Sequence, residues 1–294
     1  MNSHEKRTVL AVGAHPDDVE ILCAGTLALL HAKGWKVECA TMTPGDCGST
    51  TQTRADISAI RKKEAASSAA LLDGHYRCME CDDIFIAYDR PTLLKVITLV
   101  RQVRPDIVFT MSPEDYMIDH EITSAVVRTA CFSAGMNNIH TDGIEPFLRI
   151  PHLYYMDPME GKDALGNGIH PTTIVDISST FGRKEEMFLC HESQLGWLMA
   201  HHGVDEYVES MRTLSTRRGT MVGVRYAEGF RQHLGHAYPQ DNILKHELSG
   251  LAHLMNDPRT TEKSTANAPA RELADQHSKH VATKNAERPQ RDFP

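Results

Sequence analysis

The sequence predicts an open α/β sandwich, a mainly parallel sheet with helices on both faces. Two observations carry this. Short, apolar, β-branched runs alternate with longer segments of helical periodicity through the first two thirds of the chain, the pattern of parallel strands joined by crossover helices. Gly and Pro signals punctuate the ends of those segments. In order, Thr8–Gly13 reads as the first strand. Asp18–Lys33 reads as one long helix, apolar on most sides and stopped by Gly34. Val37–Met42 is the next strand, closed by Thr43-Pro44-Gly45, and Arg54–Leu72 is an Ala-rich helix with Asp73-Gly74 as its stop. Pro91–Val103 opens on a Pro, favoured at a helix start, and lines up Leu93, Val96, Ile97, Val100 and Val103. Asp106–Met111 is a third strand, a fourth helix starts near Asp119, and Leu153–Met156 and Thr173–Ile177 are further strands. Residues 181–218 are helical only, and the Gly-, His- and Arg-rich 219–240 reads as an ordered loop. From Asn256 the composition turns polar with no apolar period. The expectation is one domain over 1–255 and a tail over 256–294, with 258–294 disordered.

The bulk composition excludes several classes. A chain of 294 residues, 41% hydrophobic and 24% charged, has the make-up of a soluble globular protein. A net charge of −8 with no Lys/Arg block argues against nucleic acid and against an anionic membrane surface. The first apolar run is cut short by His15, Asp17 and Asp18, so neither a signal segment nor a membrane span is expected, and the default location is cytoplasmic. Seven cysteines are scattered, and Cys78-Met79-Glu80-Cys81 is a lone CxxC without the second pair a structural zinc site needs. Walker spacing and Gly-x-Ser-x-Gly are both absent, which removes nucleotide hydrolysis and the common serine hydrolases.

The chemistry gathers where strands end. Ala14-His15-Pro16-Asp17-Asp18-Val19-Glu20 follows the first strand, and Asp115-Tyr116-Met117-Ile118-Asp119-His120 follows the strand at 106–111. Ligands of an open parallel sheet bind outside the carboxyl ends of its strands. If both strands are central, His120 approaches His15 and Asp18, and two His with one carboxylate leave a metal position open for water. One Asp of the 17–18 pair is then spare for that water as a general base. Asp119 could orient an imidazole. The plainer alternative is that Asp17, Asp18 and Asp119 merely cap helices.

The first of these segments resembles the signature of the PIG-L/LmbE-like family of zinc-dependent de-N-acetylases. Further segments resemble that family in order: Thr43-Pro44-Gly45-Asp46-Cys47-Gly48, Arg61-Lys62-Lys63-Glu64-Ala65 with Leu72-Asp73-Gly74, Asp119-His120, Lys184 to His191-Glu192-Ser193-Gln194, and Tyr226-Ala227-Glu228-Gly229-Phe230. The resemblance spans roughly residues 8 to 235. It implies a Rossmann-like domain and a Zn(2+) held by His15, Asp18 and His120, with Fe(2+) or another divalent ion as a substitute. It further implies Asp17 as the base on the water that attacks an acetamide carbonyl, releasing acetate and an amine, typically of a glucosamine-type sugar. Arg61 resembles a family residue that shapes the substrate pocket. His191 is expected to face substrate, with a hydrogen-bonded core position as its alternative, and Glu228 to contact or support substrate, with a surface-loop ion pair as its alternative. One position departs: where the family often carries a His that serves the leaving amine, this chain has Met117. Tyr116 could supply the proton instead, or His191, His201, His202, His233 or His236. Two rivals stand beside the N-deacetylase. One is an amidase on another small amide, such as a sugar–thiol conjugate; the other is a non-catalytic metal- or glycan-binding protein. The sequence leaves homo-oligomerisation open.

Overall fold

The computed structural model describes residues 6–194 and 204–256. The expected tail at 258–294, His201 and His202 lie outside them. The elements are β1 (Thr8–Gly13), α1 (Asp18–Leu22), α2 (Ala24–Ala32), β2 (Lys36–Thr41), α3 (Arg54–Ala70), β3 (His75–Cys78), α4 (Arg90–Val103), β4 (Ile107–Thr110), α5 (Ile118–Ser133), β5 (His152–Met156), β6 (Thr173–Asp176), α6 (Phe181–Leu189), α7 (Val204–Val222), β7 (Ala227–Gln232), α8 (Ile243–Glu247) and β8 (Ala252–Leu254). Among the described residues they build one eight-stranded sheet in the order β3-β2-β1-β4-β5-β7-β6-β8. The five strands from β3 to β5 are parallel, and β7, β6 and β8 join antiparallel. The fold class read from the sequence is therefore the one observed.

Local chemistry sets the helix ends. Thr53 caps α3 by accepting the Asp56 amide, and Asp89 caps α4 by accepting the Thr92 amide at 2.8 Å. Arg104 ends α4 in the left-handed region, just before Pro105. Helices cover both sheet faces: α4 packs on α5, while α6 packs on α1, α2 and α3. Val9–Val12 and Ile107–Phe109 are fully enclosed, as expected of central parallel strands. No described helix is long and apolar enough to cross a membrane.

Three elements differ from the sequence expectation. The helix expected over 18–33 breaks at Cys23 (φ −146°) into two. The second start is made by a partner some two hundred residues away: the Glu228 carboxylate accepts the Gly25 and Thr26 amides at 2.9 and 2.8 Å. The expected loop at 219–240 contains β7, which sits between β5 and β6. Its Gly and charges mask a strand because Glu228 and Arg231 are buried and paired rather than solvated. Edge strand β3 is short and polar, so it carries no apolar period.

The topology positions the site. From β1 the chain steps outward to β2 and β3, then returns through α4 to β4 on the other side of β1. β1 and β4 are neighbours in register, Val12 beside Thr110, so their carboxyl ends open into one crevice where strand order reverses.

Candidate active site

Gly13 ends β1 where a side chain has no room, since a Cβ there would lie 2.8 Å from the Asp18 Cβ. The next turn is tight. Asp17 takes φ 110°, a strained value for a residue with a side chain. Asp18 folds back and accepts the Ala14 and His15 amides on Oδ2, both at 2.8 Å. Its Oδ1 then lies 3.5 Å from His120 Nε2, and its Oδ2 lies 3.7 Å from His15 Nδ1. Burial opposes the Asp18 charge, but His120 and His15 outweigh it and hold this carboxyl below its ordinary range. Burial likewise opposes protonation of both imidazoles. Asp119, Asp18 and Asp83 outweigh it at His15, and Asp18 with Asp115 at His120, so both are raised.

His120 stands on the first turn of α5 with Nδ1 3.0 Å from Asp115 Oδ1. Asp115, which the sequence reading did not single out, thereby turns Nε2 toward Asp18. Asp119 serves the other imidazole: its Oδ2 lies 3.4 Å from His15 Nε2 and accepts the Ile84 amide at 2.8 Å. Asp83 also lies against His15. It was missed because it follows the polar edge strand and belongs to no motif.

The structure brings His15, Asp18 and His120 together, with one donor atom from each within 4.8 Å of the others. His15 with Asp83 and Asp119, and Asp46 with Cys47 and Asp83, form two adjoining groups of the same kind. Two ring nitrogens and a carboxylate oxygen are a donor set that suits zinc and several other divalent ions. Enclosing this much acidity without a cation is costly, so the residues fit a metal.

Asp17 is only 6% exposed. Burial pushes its carboxyl up to about 6, with Arg61 opposing and Asp18 adding to the rise. Arg61 reaches from α3 and is itself buried. It donates to the Gly45 carbonyl at 2.9 Å, to the Pro16 carbonyl at 2.7 Å and to Asp17 at 3.3 Å. Gly45 has φ +67°, and a Cβ there would overlap the guanidinium. Arg61 therefore ties the loop after β1 to the loop after β2. One turn on, Glu64 accepts the Ser193 amide and hydroxyl at 2.8 and 2.6 Å, which places the late Ser-Gln segment against α3.

Other expected site residues are placed differently. His191 is fully enclosed, 3.3 Å from Glu20, whose carboxylate also accepts the Ser68 hydroxyl. It lies in the core and presents no face to a ligand. Glu228 is a buried partner of Lys184 at 2.7 Å and holds the start of α2, so its carboxylate is fully committed away from the crevice. His233 packs on Tyr155 and Tyr238, near the amino end of β5, because β7 runs antiparallel. His236 is an exposed loop residue. Tyr116 stays at the crevice, 56% exposed, its ring edge-on to His120 at 5.3 Å. Desolvation and the Asp18 and Asp115 charges push its phenol up, so it remains a protonated donor. Met117 sits half-buried before α5. Arg231 was also missed; it ties β7 to the loop after β4 through Ser112 at 2.7 Å and Glu114 at 2.6 Å. Cys78 and Cys81 are free, and burial pushes the Cys78 thiol up to about 11, unlike a reactive thiolate.

Comparisons with known proteins agree with this architecture. Residues 10–131 match the family described as PIG-L: GlcNAc-PI de-N-acetylase. Diacetylchitobiose deacetylase of Thermococcus kodakarensis is 27% identical over 240 residues, 78% of this chain and 84% of that protein. 4-Oxalmesaconate hydratase of Pseudomonas putida is 24% identical over 205 residues, 66% of this chain and 76% of that one. The solved N,N'-diacetylchitobiose deacetylase from Pyrococcus horikoshii superposes with a TM-score of 0.68 at 26% identity, over 81% of this chain and 89% of that one. The ordered motifs, the PIG-L family match over residues 10–131 and the shared fold together make this chain similar to proteins of the PIG-L/LmbE-like family.

Proposed function

We propose that the protein is a metal-dependent hydrolase that removes an N-acetyl group from a small amino-sugar derivative of the N-acetylglucosamine type. One observation carries the reading. The strand-end crevice pairs a two-His, one-Asp donor set with a second buried carboxylate, Asp17, that takes no part in that set. A divalent ion held by His15, Asp18 and His120, zinc first and iron(II) as the alternative, would polarise the amide carbonyl and acidify a water near neutral pH. Asp17, at about 6, is largely ionised at pH 7 and basic enough to accept that water's proton. Arg61 fixes the Asp17 side chain, and Asp115 fixes the His120 ring. The amine leaves as a neutral group only when it gains a proton. Asp17, once protonated, can return one, and the Tyr116 hydroxyl is a second donor at the same mouth. The relatives named as chitobiose deacetylases support the sugar class.

A second reading has its own support. Hydration of a conjugated C=C bond also needs an activated water and a base, but expels no amine. Met117, where the family often has the His that serves the amine, is compatible with it, as is the relative named as a hydratase. One experiment separates the two. Purified wild type and Asp17→Asn are assayed for bound metal, for acetate release from a panel of N-acetylated amino sugars, and for loss of absorbance of unsaturated oxo-acids. The deacetylase reading expects metal in both proteins, acetate from wild type, and at least a hundredfold loss in the variant. Metal-loaded wild type that hydrates the unsaturated acids and releases no acetate overturns it.

A further inference from the structure

His15 is held from behind by a carboxylate that no motif announces. Its Nδ1 faces Asp18, while Nε2 lies 3.1 Å from Asp83 Oδ1 and 3.4 Å from Asp119 Oδ2. Asp83 is 4% exposed, and its Oδ2 is anchored by the Cys47 amide at 3.0 Å. Asp83 Oδ1 and His15 Nε2 are both buried and neither has a hydrogen-bond partner as placed, so their 3.1 Å approach is the contact open to both. The bend that brings Asp83 there is strained. Ile84 takes φ 73°, a left-handed value rare for a β-branched residue, and its amide donates to Asp119 Oδ2. The bend sets Asp83 and Asp119 side by side on one ring nitrogen.

We propose that Asp83 is the positioning residue of His15, accepting the Nε2 hydrogen bond. This rests on the reading of His15 as a metal ligand. A neutral imidazole carries one N–H and one lone pair. With the N–H directed at Asp83, the lone pair is left on Nδ1, the nitrogen that faces Asp18 and the crevice. Such a carboxylate also orients the ring and raises its basicity as a ligand. Asp83 is nearer than Asp119 and has an oxygen free for the role, whereas Asp119 Oδ2 already takes the Ile84 amide. Asp83 is therefore the main acceptor, and Asp119 chiefly holds the bend.

The test uses the full-length protein as wild type, Asp83→Asn, Asp83→Ala and Ile84→Gly. Zinc affinity and stoichiometry come from competition with a chromophoric chelator, and folding from thermal unfolding of the metal-free proteins. The expected result is one ion per chain, about 10–100-fold weaker zinc binding in both Asp83 variants at near wild-type thermal stability, and Ile84→Gly within about twofold of wild type. Should the Asp83 variants not fold, ring nitrogen NMR shifts of His15 in zinc-loaded wild type decide. A protonated Nε2 with metal-bound Nδ1 supports the assignment, and the reverse overturns it. Asp83→Asn binding zinc within about twofold of wild type also overturns it. So do two ions per chain with the second lost on substitution, because Asp83 would then be a ligand. Wild type that binds no zinc at all fails the metal reading itself, an outcome distinct from equal binding by wild type and variant.

Discussion

Replacing Lys184 by Met tests the assignment of Glu228 to the scaffold. The Lys184 ammonium lies 2.7 Å from Glu228, and the two side chains are 1% and 2% exposed. Removing the cation leaves an enclosed carboxylate satisfied by the Gly25 and Thr26 amides alone. Breaking one side of a buried pair costs about 3–5 kcal/mol, and the positive end of α2 offsets on the order of 1 kcal/mol of that. The net loss is ~2–4 kcal/mol, a fall in Tm of roughly 4–16 °C for a chain of this size. Glu228→Gln is expected to cost a similar amount, because Lys184 is then the unpaired charge. The double variant should lose about 1–3 kcal/mol less than the sum, as directly coupled residues do. Equilibrium urea unfolding at pH 7, followed by circular dichroism with a check that the slope is constant, reads all four proteins. A loss below about 1 kcal/mol in Lys184→Met, or strict additivity, refutes the reasoning. A KM raised tenfold in Glu228→Gln at unchanged stability would restore Glu228 as a substrate group.

Four further outcomes are expected. The pH–rate profile should have an acidic limb centred near 6, with rate rising as Asp17 ionises, and Asp17→Asn should abolish that limb. The same group predicts stability in the metal-free protein. Its folded pKa lies above the unfolded value, so between about pH 4 and 6 the folded state holds a proton the unfolded state has lost, and stability falls as pH rises through that window. Asp17→Asn should flatten that slope, worth at most ~3 kcal/mol at two pKa units, as measured by urea unfolding at pH 4, 5, 6 and 7. Chelation should remove activity that zinc restores, with Asp18→Asn unable to recover it. Gly45→Ala should lose about 1–3 kcal/mol, because φ +67° is strained for Ala and its methyl displaces Arg61; near-neutral stability would refute the fit.

The legible part of this protein is the part written in local chemistry. Alternating apolar runs gave the parallel strands, and the strand-end clusters gave residues that do meet: His15, Asp18 and His120 converge in one crevice. What escaped was set by partners distant in sequence. Cys23 breaks a helix whose apolar pattern runs straight through, because Glu228 starts it again from another element. β7 reads Ala-Glu-Gly-Phe-Arg-Gln, with no apolar alternation and nearly every residue buried, so its burial is invisible until its ion pairs are known. Asp83 and Asp115 are ordinary loop acids in the sequence, and only the approach of His15 and His120 distinguishes them. His191 is enclosed, in keeping with the core alternative read for it, and Glu228 is paired in the interior rather than on a surface loop. A polar side chain in an apolar stretch marks a satisfied interior pair as readily as a ligand contact.

β7 has a consequence for how the protein is made. Glu228 and Arg231 are three positions apart on a strand, so they point to opposite faces of the sheet. One secures the start of α2, and the other the segment leading to α5. The residues of the crevice are all translated by position 120, yet the strand that braces both sides of it is not. At about 5–20 residues per second, roughly 5–20 s separate the synthesis of His120 from that of Glu228. Through that interval the nascent chain carries an acidic, partly assembled crevice with two unbraced walls. A fragment ending near residue 200 would keep every ligand candidate and lack their support. The catalytic half is thus completed last, by its own distal strand.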